Sequence, residues 1–252
     1  MKNTNFNELA LKAYESAKAR GFHKEPHTDA HYMMLIACEL AEAVEADRKG
    51  QRADRKTYNF LLQEYGDPVF KHLFDVHIKD TVEDELADAV IRLLDYLGKK
   101  GLNIPDGFIS EERIKKECDD ECREWFKGRS FADVIFTSLL NDLDSAIGIP
   151  ETKIYAIFVI AEIYGIDLMW HIKEKMEYNV KDISMIPTRK IGERFKISGV
   201  GYIVARPTTE EPCKECTFYM GKYCNGRIEI MGFCYKDMRR DNTQVIFKKE
   251  NE

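Results

Sequence analysis

An all-α body followed by a small β-rich module is the fold class this sequence predicts, on three observations. Through residues 5–180 apolar residues recur at three- and four-residue spacings, the period of amphipathic helices. Glycine, proline and N-cap residues cut that pattern into helix-sized lengths. After Ile191 the texture changes to short β-branched and aromatic runs set between glycines and cysteines, which read as strands. Pro187-Thr188-Arg189 marks the change, because proline disfavours helix in the residue before it. The expected domains are therefore residues 1–187 and 188–252.

From Asn7 to Arg20, the residues Leu9, Ala10, Ala13, Tyr14 and Ala17 share one face of a helix that Gly21 closes. Residues 22–29, with Pro26 and a cap at Thr28 or Asp29, lead to a long helix over Ala30–Lys49 that Gly50 stops. Its apolar face is wide, so burial on most sides is expected. Residues 51–80 read as an insertion, helix-compatible but broken by the turn signal Gly66-Asp67-Pro68. Thr81 or Asp80 caps the next helix, which carries Glu83 or Asp84 in its first turn and runs to Leu97 before Gly98. Helical character continues over Ser110–Lys127, Phe131–Ile147 and Lys153–Asn179, with Gly165 interrupting the last. The strand candidates are Phe195-Lys196-Ile197, Tyr202-Ile203-Val204 and Val245-Ile246-Phe247.

The 252 residues carry 38 basic and 44 acidic side chains and are 44% apolar, the balance of a folded chain and not of a disordered one. The longest uncharged apolar stretch, Ile154–Ala161, is far short of the roughly 20 residues of a spanning helix. The first eight residues lack a signal peptide's apolar core, so a cytoplasmic protein without a membrane partner is expected. Residues 1–190 hold 27 basic against 35 acidic groups, and residues 191–252 hold 11 against 9. An acidic body disfavours a broad nucleic-acid surface and suits a chain that gathers divalent cations. Neither G-x-x-x-x-G-K-S/T nor G-x-S-x-G occurs, and Gly199-Val200-Gly201 lacks the following helix of a dinucleotide site.

Glu39 and Glu42 stand three apart on the second helix, and Glu85 and Asp88 three apart on a later one, so each pair emerges on one face. Both pairs are set in apolar sequence, Leu35–Val44 and Glu85–Ile91, where acids are rare unless paired or holding a metal. If the two helices pack together, four carboxylates converge, and each like-charge contact near 4 Å costs ~4 kcal/mol at an effective dielectric of about 20. A divalent cation offsets that repulsion, and hard oxygen donors in this number suit Mg²⁺ or Mn²⁺. Either pair alone reads as a solvated helix face; it is the two together, each beside an apolar stripe, that point to a metal site.

The stretch from His31 through Glu39-Leu40-Ala41-Glu42 to Gly50, followed by Glu83-Asp84-Glu85-Leu86-Ala87-Asp88-Ala89-Val90-Ile91-Arg92, resembles the MazG-like branch of the all-α NTP pyrophosphohydrolases. The signature of that family is E-x-x-E followed by E-x-x-D. A third block, Gly165-Ile166-Asp167-Leu168 and His171–Asn179 with its K-x-x-Y-N ending, is similar to the family's closing helix. The stretch between Glu42 and Glu85 is longer than usual there, and residues 102–159 intervene before the closing helix.

The resemblance implies a helical bundle that hydrolyses a nucleoside triphosphate, a dNTP or a nonstandard NTP, to the monophosphate and pyrophosphate. It implies Glu39, Glu42, Glu85 and Asp88 as Mg²⁺ ligands, and Glu39 or Glu42 as acceptor of the attacking water's proton. Lys175 and Asn179 would face the phosphates, and the assembly would be a homodimer or homotetramer. The apolar run Ile154–Ile160 is an interface candidate or buried core. The rival reading is a noncatalytic helical adaptor whose cysteine module binds a partner protein or nucleic acid.

That module carries Cys213-x2-Cys216-x7-Cys224-x9-Cys234, four soft ligands whose C-x-x-C knuckle lets two thiolates meet one tetrahedral Zn²⁺. A structural zinc would stabilise a module too small for a secure core; disulfides and free thiols are the other states. The tail is similar to small cysteine-rich modules of phage-type proteins, and Arg227, Lys236, Arg239 and Arg240 could touch nucleic acid or form a solvated basic face. His27 and His31, four apart beside Pro26, read as surface or capping residues.

Overall fold

The computed structural model describes residues 4–180, 189–197, 199–219, 234 and 244–250. The chain divides into two compact units, Met1–Arg55 with Val76–Val180, and Lys56–Asp75 with Lys181–Glu252. The boundary expected near residue 187 lies outside the described residues. In chain order the helices begin with α1 (Phe6–Ala19), α2 (Asp29–Lys49), α3 (Arg55–Tyr65), α4 (Phe70–His77) and α5 (Val82–Lys100). They continue with α6 (Glu111–Glu117), α7 (Asp120–Phe126), α8 (Phe131–Ile135), α9 (Pro150–Ile163) and α10 (Leu168–Val180). The described residues are thus mostly helical, with one small antiparallel sheet.

Local chemistry sets the helix ends. Asn5 caps α1 by accepting from the N–H groups of Asn7 and Glu8, Thr28 caps α2 through His31 N–H, and Thr81 caps α5 through Asp84 N–H. Gly50 and Gly101 close α2 and α5 in the left-handed conformation that costs an L side chain energy. Acids in the first turn of α5 and lysines in its last suit the helix dipole.

The first unit is organised around α5, against which α1, α2, α9 and α10 pack. Val82, Leu86, Val90, Leu93, Leu94 and Leu97 are completely buried along it. The helix passes through Gly98, where a stop was expected. A Cβ there would stand 2.5 Å from the carbonyl oxygen of Ala10, so the glycine serves the close approach of α1 and not a helix end. Ile154, Ile157, Phe158, Val159 and Ile160 are buried in this same core, which leaves no exposed apolar run there for an interface.

Two expected helices are subdivided. Within Ser110–Lys127, Asp119 starts a new helix by accepting from Cys122 N–H, a side-chain bond that competes with helix continuation. Within Phe131–Ile147, α8 gives way to a π turn at Phe136–Leu140 and a 3₁₀ turn at Leu143–Ile147. Helices α9 and α10 meet at a bend of 116° that includes Gly165 at φ +71°. No single helix among the described residues is long and apolar enough to cross a membrane.

In the second unit, residues 56–75 hold a ring cluster of Tyr58, Phe70 and Phe74, with a 3₁₀ turn at Asp67–Val69 where the turn signal was read. Strands β1 (Arg194–Ile197), β2 (Val200–Ala205) and β3 (Ile246–Lys249) form an antiparallel sheet in that order, with Phe195 opposite Tyr202 and Val204 opposite Phe247. Gly199 turns β1 into β2 at φ +83°. Phe195, Val204, Val245 and Phe247 make a small core with Cys216, Phe218 and Cys234 against it.

Candidate metal centre

Packing of α2 on α5 sets Glu39 against Glu85 and Asp88. One carboxylate oxygen from each of the three lies within 4.8 Å of the other two. Glu39 shares the buried side of α2 with Ile36, Leu40 and Ala43, and is itself only 8% exposed; Glu85 is 5% exposed. The carboxylate of Glu85 makes no hydrogen bond among the described residues. Burial, then the charges of Asp84 and Asp88, push Glu85 up to about 8. Burial and then Asp88 likewise raise Glu39, against the ion pair from Arg92, whose Nε donates to Glu39 Oε1 at 2.9 Å. Three clustered carboxylates, one of them without a protein hydrogen bond, are a donor set that fits a hard divalent cation.

Glu42, one turn beyond Glu39, is exposed and stands outside this three-oxygen group, although its charge reaches Glu39. Asp84 joins from the other side, forming with Asp80 and Glu85 a second group of oxygens within 4.8 Å. It is 1% exposed, and its Oδ2 accepts from Asp80 N–H at 3.1 Å and from Lys175 at 2.8 Å, while Oδ1 has no partner. Burial raises Asp84 to about 6 against the opposing pull of Lys175.

Lys175 and Asn179, expected on one face of the closing helix, do lie there but with protein partners. The Lys175 ammonium sits 2.8 Å from Asp84 and 2.7 Å from Asp88; these two carboxylates hold it charged despite burial. Asn179 accepts from Arg20 Nη1 at 3.2 Å. Sequence reasoning missed Asp84, Arg92 and Arg20. The first two carry a legible signal, since Asp84 lies four before Asp88 and Arg92 four after it on one helix. Arg20 carries none.

Elsewhere, His27 and His31 are exposed and their rings stack at 4.1 Å, with no third metal-binding side chain grouped with them among the described residues. In the tail, Cys213, Cys216 and Cys234 line one small pocket with Pro212 and Tyr219. Cys224, Arg227, Lys236, Arg239 and Arg240 lie outside the described residues. No family model matches this chain, and no match was found among curated proteins or solved structures.

Proposed function

We propose that this chain is a MazG-like, Mg²⁺- or Mn²⁺-dependent pyrophosphohydrolase of nucleoside triphosphates, acting on a dNTP or a nonstandard NTP. The observation that carries the reading is the convergence of Glu39, Glu85 and Asp88 from two packed helices, with the Glu85 carboxylate partnerless. Those three would hold the cation, and Glu42 would complete the set from the open edge. When bound, the ion neutralises phosphate charge and makes a bound water a better nucleophile.

Glu42 is open to solvent and accepts the water's proton, a role Glu39 is less free to take while tied to Arg92. The water oxygen bonds to the α-phosphorus as the bond from that atom to the α–β bridging oxygen breaks. The monophosphate and pyrophosphate then leave. Lys175 and Asn179 would reach the phosphates from α10 only by exchanging their present partners, Asp84 and Asp88 for Lys175 and Arg20 for Asn179.

In this reading residues 1–187 carry the catalysis, in a cytoplasmic homodimer or homotetramer. Residues 188–252 form a module around structural Zn²⁺ held by Cys213, Cys216, Cys224 and Cys234. Cys213, Cys216 and Cys234 line one small pocket, although their sulfurs are not gathered within 4.8 Å of one another, so the assignment rests on the C-x-x-C spacing. The test is pyrophosphate release from a panel of standard and modified NTPs and dNTPs with Mg²⁺ or Mn²⁺, comparing the intact chain with Glu85→Gln. The variant is expected to lose about 10²–10³-fold in rate. No release from any nucleotide by the folded chain overturns the hydrolase and leaves the helical adaptor.

A further inference from the structure

We infer that Arg20 and Arg92, gathered at the exposed ring of Phe22, form an anion subsite that receives the polyphosphate tail of the ligand beside the metal centre. The inference deepens the hydrolase reading and rests on it for the identity of the ligand. Three elements build the subsite. Arg20 is the C-cap of α1, Arg92 stands one turn beyond Asp88 on α5, and Phe22 follows α1 with 49% of its surface exposed. The Arg20 guanidinium lies 5.2 Å from the Phe22 ring centre and that of Arg92 lies 5.7 Å from it.

Two guanidinium groups at one ring repel each other, and the acids nearby leave donors over: Glu39 pairs with Arg92, while Asp88 and Asp95 act on Arg20 only from beyond ion-pair distance. Arg20 has only a neutral side-chain acceptor, Asn179, and no carboxylate within ion-pair distance among the described residues. Arg92 meets Glu39 through Nε alone, so its two terminal nitrogens are not engaged by that bond. Burial first, and then the charge of Arg92, hold Arg20 below its usual range against the opposing pull of Asp88 and Asp95. The planar forks left over match phosphate oxygens.

Position gives the order of contacts. Arg92 touches Glu39, a residue of the three-carboxylate group, so a phosphate seated at the metal centre brings its neighbour to Arg92. Arg20, tied to Asn179 on α10, takes a phosphate further along. The subsite therefore selects a ligand with phosphates beyond the one under attack, and its own product contact is pyrophosphate.

The experiment titrates inorganic tripolyphosphate into the full chain by calorimetry, with and without Mg²⁺, for the unmodified protein and for Arg20→Gln. Arg20 is exposed and stands at the C-cap of α1, beyond the last buried residue of that helix, Ala17. The expected result is a loss of affinity of about tenfold or more, the effect of removing one charge-assisted contact, with Mn²⁺ binding within about twofold. A loss of fivefold or more supports the subsite even if no nucleotide is hydrolysed. A smaller loss, or no tripolyphosphate binding by the unmodified chain, overturns it. Should Arg20→Gln fail to fold, Arg92→Gln decides by the same threshold. Failure of the hydrolase reading shows separately, as absence of pyrophosphate release by the unmodified chain.

Discussion

Replacing Lys175 by methionine removes the cation that ties α10 to α5. Its ammonium lies 2.8 Å from Asp84 and 2.7 Å from Asp88, where each pair attracts by ~6 kcal/mol at an effective dielectric of about 20. Desolvation of groups this buried offsets most of that gain. The variant keeps the desolvation and loses the attraction. Asp84, 1% exposed and with one oxygen already partnerless, is left without its cation and must either stay charged uncompensated or take up a proton, each at a cost to the folded state. The expected loss is about 3–5 kcal/mol, a large share of a domain's stability.

The assay is urea unfolding followed by far-UV circular dichroism at neutral pH in EDTA, so that no divalent ion substitutes for the ammonium. A second arm adds Asp84→Asn to Lys175→Met. Neutralising the orphaned carboxylate is expected to recover about 2 kcal/mol relative to the single variant. If Lys175→Met costs less than about 1 kcal/mol, or if Asp84→Asn makes it worse, the account of a charge-tied helix is refuted.

Three further outcomes are expected. In EDTA the folded chain keeps Glu85 protonated to about pH 8, whereas the unfolded chain releases that proton near the ordinary glutamate value. The folded state therefore binds more protons over that window, and its stability falls as pH rises from about 4.5 through about 8. After discounting for solvent screening the loss is ~2–4 kcal/mol. Subtracting the urea profile of Glu85→Gln isolates it, and identical profiles would remove the claim. Gly98→Ala would place a Cβ 2.5 Å from Ala10 O and 2.8 Å from Tyr14 Cβ. The strain of about 1–3 kcal/mol is expected to exceed the helix-propensity gain of about 1 kcal/mol, so the thermal midpoint falls; a rise contradicts the close approach. The zinc assignment predicts about one zinc per chain by elemental analysis, lost together with protease resistance of the tail in Cys213→Ser. A folded, metal-free tail argues against it.

Helix punctuation was legible because caps act over two or three residues: Thr28, Thr81 and Gly50 do in the structure what their types predict. Long-range contact decided where local reading failed. Gly98 carries the marks of a stop and is a contact point, because Ala10 lies far away in sequence. Spacing alone places Glu39 with Glu42 and Glu85 with Asp88, each pair on one face of its helix, but not the packing of α2 on α5, which turns Glu39 inward and leaves Glu42 in solvent. Lys175 was visible as a cation on the closing helix. Its engagement by Asp84 was not, since only the packing of α10 on α5 aligns them. Arg20 and Asn179 are separated by 159 positions, and no periodicity spans that distance.

The bare backbone at Gly98 also acts as a gauge. It sets how closely α1 can lie along α5, and Ala10, the point of contact, is ten residues before Arg20 on the same rod. At 1.5 Å per residue the guanidinium is carried about 15 Å downstream of the fulcrum. A methyl group added at position 98, ten residues along α5 from Asp88, would tilt or slide that rod and alter the reach of its far end. If Arg20 belongs to the proposed anion subsite, ligand preference would drift through a residue that never meets the ligand, and a search for its determinants confined to the pocket wall would pass over it.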